Sequence, residues 1–329
     1  MTRKIKNTLK YLLFLSVGII LFWWVYRDLE IELLKSEIRE LNYGWIIASF
    51  MLGMFSHISR AIRWNMLIHP LGYRPRTLNS FLAVMVMYLT NMAIPRAGEV
   101  ARCSVLTKYE DVPFSKLLGT VFVERIADVI ALMFFAILIF LTQLGVISTF
   151  IETHPGMSDK VGGLFSLKNI LIAVTGVIII FVLFYIFRNN FKKTKIFKKV
   201  EEVLKNFAEG IKAITKMKRP WAFIGHTLFI YLMWLISLYF LFFSYEPTKG
   251  LGIFAGAAAF VMGGLAMIAP VQGGIGAWHF MVYETLFIYG IDKTEGKIFA
   301  LVAHTTNNLS LMLVGLIALL LLPIVNKKR

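Results

Sequence analysis

Two apolar runs in this chain are interrupted at their middles by the same kind of break, and that pattern restricts the fold more than any other feature. Pro95-Arg96-Ala97-Gly98-Glu99 divides residues 78–108, and Pro270-Val271-Gln272-Gly273-Gly274 divides residues 250–290; both contain a Pro-x-x-Gly core. Proline removes a backbone donor and glycine permits turns closed to other residues, so neither run continues as one helix. In hydrocarbon, irregular backbone is tolerated only where it is buried in protein or lines a water-filled cavity. The breaks therefore predict two hairpins whose tips lie inside a protein interior.

The rest of the chain supplies that interior. Hydrophobic residues make up 58% of 329 residues, more than a soluble domain of this size can bury. Segments near 9–26, 44–68, 120–145, 167–187, 221–244 and 298–323 each reach the roughly 17–25 residues that cross a bilayer as a helix. The first follows Arg3, Lys4, Lys6 and Lys10 as a signal peptide would, but Trp23-Trp24-Val25-Tyr26-Arg27 offers no small-residue cleavage site, so it reads as a retained helix.

The formal charge of +16 follows the membrane rather than a nucleic-acid surface. Residues 188–219 hold eleven Lys/Arg against three acids, which assigns this loop to the cytoplasm by the positive-inside rule. Val200, Val203, Leu204, Phe207, Ile211 and Ile214 recur at helical spacing within it, describing a basic amphipathic helix on anionic lipid. The N-terminus, the Arg74/Arg76 loop and Lys327-Lys328-Arg329 fall inside; 27–43 and 146–166 fall outside. The run 78–108 then begins and ends inside, whereas 250–290 begins and ends outside. Glu99, Arg102, Lys108, Glu110, Asp111 and Lys116 make full crossings a poorer reading than re-entrant hairpins.

The expected architecture is an all-α polytopic membrane protein, a single integral membrane domain over 1–329 with about six transmembrane helices and two re-entrant broken hairpins. Residues 44–145 and 221–323 form an inverted repeat of helix, hairpin and helix, a design recurrent in secondary transporters. The single Cys103 excludes an intrachain disulfide, and six scattered histidines without HExxH or CxxC give no metal or cofactor site.

Ionisable residues inside a membrane default to functional candidates. In the first half these are Arg60 and Arg63, with His57 one turn back; Arg96, Glu99 and Arg102 around the break; and Glu124, Arg125 and Asp128 at the head of the next helix. Arg60 and Arg63 sit near a helix end, where snorkelling to the interface competes with a functional role. Arg96 and Arg102, at the start of a half-helix whose free N–H groups attract anions, suit a headgroup phosphate; a Glu99–Arg102 pair at i, i+3 is the structural alternative. An internal ion network is the alternative for Glu124, Arg125 and Asp128. Five arginines and three acids leave +2, which favours an anionic substrate. The second half is polar but nearly uncharged: Gln272, Gly273, Gly274, His279, His304 and Asn308 form its candidate pocket, with His304 and Asn308 spaced as Glu124 and Asp128 are.

Pro95-Arg96-Ala97-Gly98-Glu99 with Arg102, Glu124-Arg125-Ile126-Ala127-Asp128, and Pro270 through Gly276 occur in an order that resembles the flippase-like family named for the membrane region of lysylphosphatidylglycerol synthases. The resemblance runs along nearly the whole chain. It implies lipid handling in the bacterial cytoplasmic membrane, with related proteins linked to translocation of aminoacylated, glycosylated or isoprenoid lipids, and it carries roles over to Arg96, Gly98, Glu99, Arg102, Glu124, Arg125 and Asp128. The family's second break commonly reads Pro-x-Pro-Gly-Gly followed by a glutamate; here Gln272 and His279 stand instead, which puts any role of that acid in doubt. No soluble aminoacyl-transferase domain is expected, so a flippase is favoured over the alternative, an enzyme of lipid modification using Glu99, Glu124 or Asp128 as base. The expected partners are membrane lipids with anionic headgroups, a second copy of the chain or an envelope enzyme, and not nucleic acid. Both termini are expected in the cytoplasm.

Overall fold

The computed structural model describes residues 16–94, 97–146, 217–269 and 271–327. Pro95, Arg96, Pro270, the segment 167–187 and nearly all of the basic loop 188–219 lie outside them. The described residues form α1 (Ser16–Tyr26), α2 (Ile31–Glu40), α3 (Tyr43–Ile68), α4 (Thr77–Ala93), α5 (Gly98–Glu110), α6 (Phe114–Thr142), α7 (Pro220–Phe242), α8 (Ile253–Ala266), α9 (Ala277–Ile288) and α10 (Lys293–Val325). No strand occurs among them. Tyr43–Leu71, Phe114–Thr142, Pro220–Phe242 and Lys293–Val325 are long and apolar enough to cross a membrane; α1, α4 and α8 are shorter apolar helices. Large apolar side chains such as Phe140, Leu141, Leu320 and Ile324 face outward, where only lipid would accept them in such number. The chain is an all-α polytopic membrane protein.

Local chemistry sets the helix limits. Asn42 caps α3 by accepting the Gly44 N–H at 3.1 Å, and Asp292 caps α10 by accepting the Thr294 N–H at 2.7 Å. α6 begins at Phe114 rather than near 120: Pro113 occupies its N-cap, and Val112 and Leu117 are buried against α4 and α5. The first turn of α6 is thus held by the hairpin before it. α10 likewise starts at Lys293, five residues before the apolar run, because the Asp292 cap outweighs the polarity of its first turn.

Each broken run is an antiparallel helix pair, α4 with α5 and α8 with α9. At the first break Gly98 has no substitute. A Cβ there would collide with the Met87 carbonyl oxygen and with the side chain of Asn91, and Asn91 Oδ1 accepts the Gly98 N–H at 2.8 Å. The second break turns through Gly273, Gly274 and Gly276, all with positive φ.

Two cores result. Leu82, Met85, Met87, Leu106 and Leu117 pack with Trp64 and Ile68, whereas Phe242, Ala259, Leu286 and Phe299 pack with Val25 and Leu41. α10 belongs to both, giving Ile298, Phe299 and Ala303 to one and Ala318 and Leu322 to the other. Between them α3 and α7 run antiparallel, tied by Ser49–Ser237 at 2.9 Å and Ser59–His226 at 2.8 Å.

These ties fix where the hairpins enter. α4 starts beside the C-terminal end of α10, where Asn79 bonds Asn326 at 3.0 Å, and its Leu89 meets Gly315. The α9 end of the other hairpin lies at the opposite end of the bundle, where Tyr289 donates to Gln143 Oε1 at 2.9 Å. The breaks meet between: the Gln272 amide donates to the Met92 carbonyl and, at 3.3 Å, to that of Ala93. Those are carbonyls at the C-terminal end of α4, where a helix has no partner of its own for them.

Candidate functional site

The four long helices and both breaks enclose a cavity of about 830 Å³. Its first wall comes from α3, α5 and α6, which together carry a buried ionic network. Glu124 is its centre: Oε1 lies 3.1 Å from Arg60 Nε and 3.3 Å from Arg63 Nη2, and Oε2 lies 2.9 Å from Arg102 Nη1. Asp128, one turn on, pairs with Arg60, with Arg63 at 2.6 Å and with Arg125 at 3.3 Å. Arg125 also reaches Glu99 at 3.0 Å. Neighbouring helices complete the shell, since Arg63 donates to Thr227 Oγ1 at 3.0 Å and the Tyr231 hydroxyl donates to the Asp128 carbonyl at 2.6 Å.

The arginines face aromatic rings on their free sides. Arg102 lies 4.6 Å from the ring centre of Trp64, and Arg60 lies 5.2 Å from that of Trp234, placing guanidinium planes where a π face compensates for lost water. Arg60 also donates to the Tyr88 hydroxyl at 2.5 Å.

This geometry corrects several expectations. Arg60 and Arg63 do not snorkel; both are buried and ion-paired. The Glu99–Arg102 pair is not formed, because α5 turns Arg102 toward Glu124 while Glu99 meets Arg125 on α6. Arg102 and Glu124 are 0% exposed, whereas 38% of the Arg125 side chain and 26% of that of Glu99 remain accessible. Arg60, Glu99, Arg125 and Asp128 line the cavity; Arg63, Arg102 and Glu124 stand behind it. Among the described residues the cavity lining holds two arginines and two acids, Arg60 and Arg125 with Glu99 and Asp128; the constellation of five arginines and three acids extends behind it and includes Arg96. Arg96 falls outside the described residues.

The second wall is neutral. Gly273, His304 and Asn308 line the cavity, as do Thr306 and Asn307, whereas Gln272, Gly274 and His279 lie outside its lining. His279 is buried, with its ring 4.3 Å from that of His304, and its Nδ1 accepts the Gly276 N–H at 3.2 Å. It shapes the turn at the base of α9.

Sequence reasoning did not place Tyr88, Asn91, Tyr231, Trp234 or Asn307 among the candidate residues, and all of them line the cavity. Asn307 carried a readable signal, an amide in the apolar centre of a long helix. The aromatic residues carried none, because Trp and Tyr are frequent in membrane helices.

Fold and site together define a polytopic membrane protein whose broken helices meet at a largely apolar cavity that carries a few charged and polar groups. The chain belongs to the family described as the lysylphosphatidylglycerol synthase TM region, whose model matches residues 9–315. It is similar to UPF0104 membrane protein PH1989 of Pyrococcus horikoshii, at 25% identity over 86% of this chain and 88% of the relative. UPF0104 membrane protein MJ1595 of Methanocaldococcus jannaschii is 30% identical over a shorter stretch, 39% of this chain and 38% of the relative. UPF0104 membrane protein MJ1078 of the same organism is 24% identical over 70% of this chain and 92% of its own length. No solved structure matches.

Proposed function

We propose that the chain is a flippase-like transporter that moves a phosphate-bearing lipid across the cytoplasmic membrane, with both termini on the cytoplasmic side. The observation that carries this reading is the cavity itself, whose lining passes from accessible Arg125 and Glu99 to Met92, Ile94, Leu132, Met267 and Ile268. A lipid is the common membrane solute with a charged end and an apolar remainder. The headgroup belongs beside Arg125, which is paired with Glu99 and Asp128 but keeps 38% of its side chain accessible, whereas Arg60, Arg63 and Arg102 are buried.

Two further features support transport. Residues 44–145 and 221–323 each run long helix, short pair, long helix, and an inverted repeat with re-entrant tips meeting near the midplane opens a central site alternately to each side. Among the described residues the tips are joined through the Gln272 amide, a contact small enough to break in each cycle.

Reconstitution into liposomes with a panel of fluorescent phospholipids tests the proposal. Protein-dependent leaflet exchange is expected, and Arg125→Gln should slow it about tenfold, the loss of one charge-assisted contact. Absence of exchange for every lipid tested would overturn it. Lipidomics of a deletion strain separates transport from synthesis: unchanged lipid amounts with altered leaflet exposure are expected, and disappearance of a lipid species would point to an enzyme.

A further inference from the structure

Away from the cavity, α3 and α7 leave a second hollow between them. Phe55, Ile58 and Ile62 on α3 and Gly225, His226 and Phe229 on α7 border about 500 Å³, and none of them lines the cavity. The hollow is a groove on the outer surface of the bundle, where Phe55 is 50% exposed and Phe229 41%. Gly225 deepens it, since a Cβ at that position would meet no atom within 4 Å.

One group in this groove is out of place among apolar neighbours. His226 Nδ1 lies 2.8 Å from Ser59 Oγ, and neither side chain makes another hydrogen bond among the described residues. If Nδ1 donated, the Ser59 proton and a bare Nε2 would both go unmatched. If Ser59 donates, only an Nε2–H is left over. The second arrangement leaves one unmet group instead of two, and an unmet N–H in hydrocarbon calls for an acceptor. His226 stands six residues into α7, which starts at Pro220, or roughly 9 Å along the axis. The interfacial layer of a bilayer is about 5–8 Å deep on each side, so the imidazole reaches its inner boundary, the level of the lipid ester carbonyls.

The start of α7 supplies the rest of a lipid's complement. Lys218 and Arg219 precede the groove, both exposed and without a salt bridge among the described residues. Trp221 beside them is 82% exposed, as an interfacial anchor is. No side chain caps the first turn of α7, so its free N–H groups add to the attraction for an anion.

We infer that this groove is a fixed binding site for one anionic glycerophospholipid of the surrounding membrane. Its acyl chain lies over Gly225 between Phe55 and Phe229, its ester carbonyl accepts from His226 Nε2, and its phosphate meets Lys218 and Arg219. The site is separate from the cavity and does not depend on the transport reading.

The test uses purified full-length protein in detergent, with bound lipid quantified by native mass spectrometry. Two phosphatidic acids of equal chain length are offered, one with ester-linked and one with ether-linked chains, so that the carbonyls are the only difference. The diester should be retained about fivefold better, as one hydrogen bond of ordinary strength predicts, and His226→Phe should bring that ratio to one. Gly225→Leu should lower retention of both lipids by filling the groove. Lys218→Gln with Arg219→Gln should reduce the preference for phosphatidic acid over phosphatidylcholine. Arg125→Gln, which alters the cavity, should leave the diester-to-diether ratio intact, so the site and the transport reading fail separately. Equal retention of the two phosphatidic acids by the unaltered protein would overturn the inference. So would a ratio that survives His226→Phe, or a Gly225→Leu variant that keeps its lipid but changes from dimer to monomer, which would assign the groove to a second copy of the chain.

Discussion

The two walls of the cavity solve the same problem, polar groups inside a membrane, in opposite ways. On α3, α5 and α6, four arginines and three acids spend nearly all of their charge on one another, with Glu124 alone contacting three guanidinium groups. On α10, neutral side chains satisfy one another in part and face the cavity with the remainder. The difference teaches that density of charge is a poor guide to where a ligand sits. A densely paired ionic network is scaffold, and its accessible edge is Arg125 with Glu99, where the proposed headgroup would sit.

The comparison breaks most readily at its charged centre. Glu124→Gln removes the single acid that pairs with Arg102 and one of the two that pair with Arg60 and Arg63, leaving buried cations uncompensated. A loss of about 3–5 kcal/mol is expected, read as a collapse of the monodisperse peak in detergent or as a large drop in melting temperature. If the variant kept the parent's stability, the network would not be scaffold. Gly98→Ala should be the next most damaging. The added methyl meets the Met87 carbonyl and the Asn91 side chain, and forcing such a contact costs about 1–3 kcal/mol. The same change at Gly72, where a Cβ meets no atom within 4 Å, tests whether the effect is steric, since only its positive φ opposes substitution there.

The neutral wall should prove more forgiving. His304→Leu removes the tie to Gly273 and should cost about 1 kcal/mol, with cysteine cross-linking between the second break and α10 reporting the looser tip. A loss as large as that of Glu124→Gln would erase the distinction between the walls. The smallest effect belongs to the α10 cap. Asp292→Ala should cost about 1 kcal/mol or less, and the cap's contribution carries a pH signature. The Thr294 backbone N–H holds the Asp292 carboxyl below the usual aspartate range, so the stabilisation is present above about pH 4 and fades as pH falls through the lower folded value. Thermal melts across that window should converge for parent and variant at the acid end.

Much of this arrangement is legible in the residue order. The Pro-x-x-Gly breaks predict helix pairs, and helix pairs stand at both places. What sequence could not supply is pairing across elements. For Arg60 and Arg63 an interfacial and a functional reading stay open in the sequence, because distance along the helix is all that it measures; their burial follows from the face that α3 turns toward α6 and α7. Glu99 and Arg102, three apart, suggest a local pair, yet the crossing of α5 over α6 offers each a nearer partner of opposite charge. The early start of α6 likewise depends on Val112 and Leu117 finding a groove that only the folded hairpin creates. Asn307 stood in the same polar run but went unranked, since Asn308 rather than Asn307 shares with His304 the i, i+4 spacing of Glu124 and Asp128.

The bond from Gln272 to the end of α4 has a mechanical consequence. Separating the two tips exchanges a pair of amide hydrogen bonds for bonds to water, an almost balanced trade. Shearing α3 past α6 would instead tear ion pairs out of a dry interior. Stiffness is thus unevenly distributed: α3, α6 and α7, with α5 tied to them by Arg102 and Glu99, form a chassis, and the joint between the tips is the compliant part. Any change in the volume of the cavity will be taken up at that joint, as strain in a frame is taken up at its softest hinge.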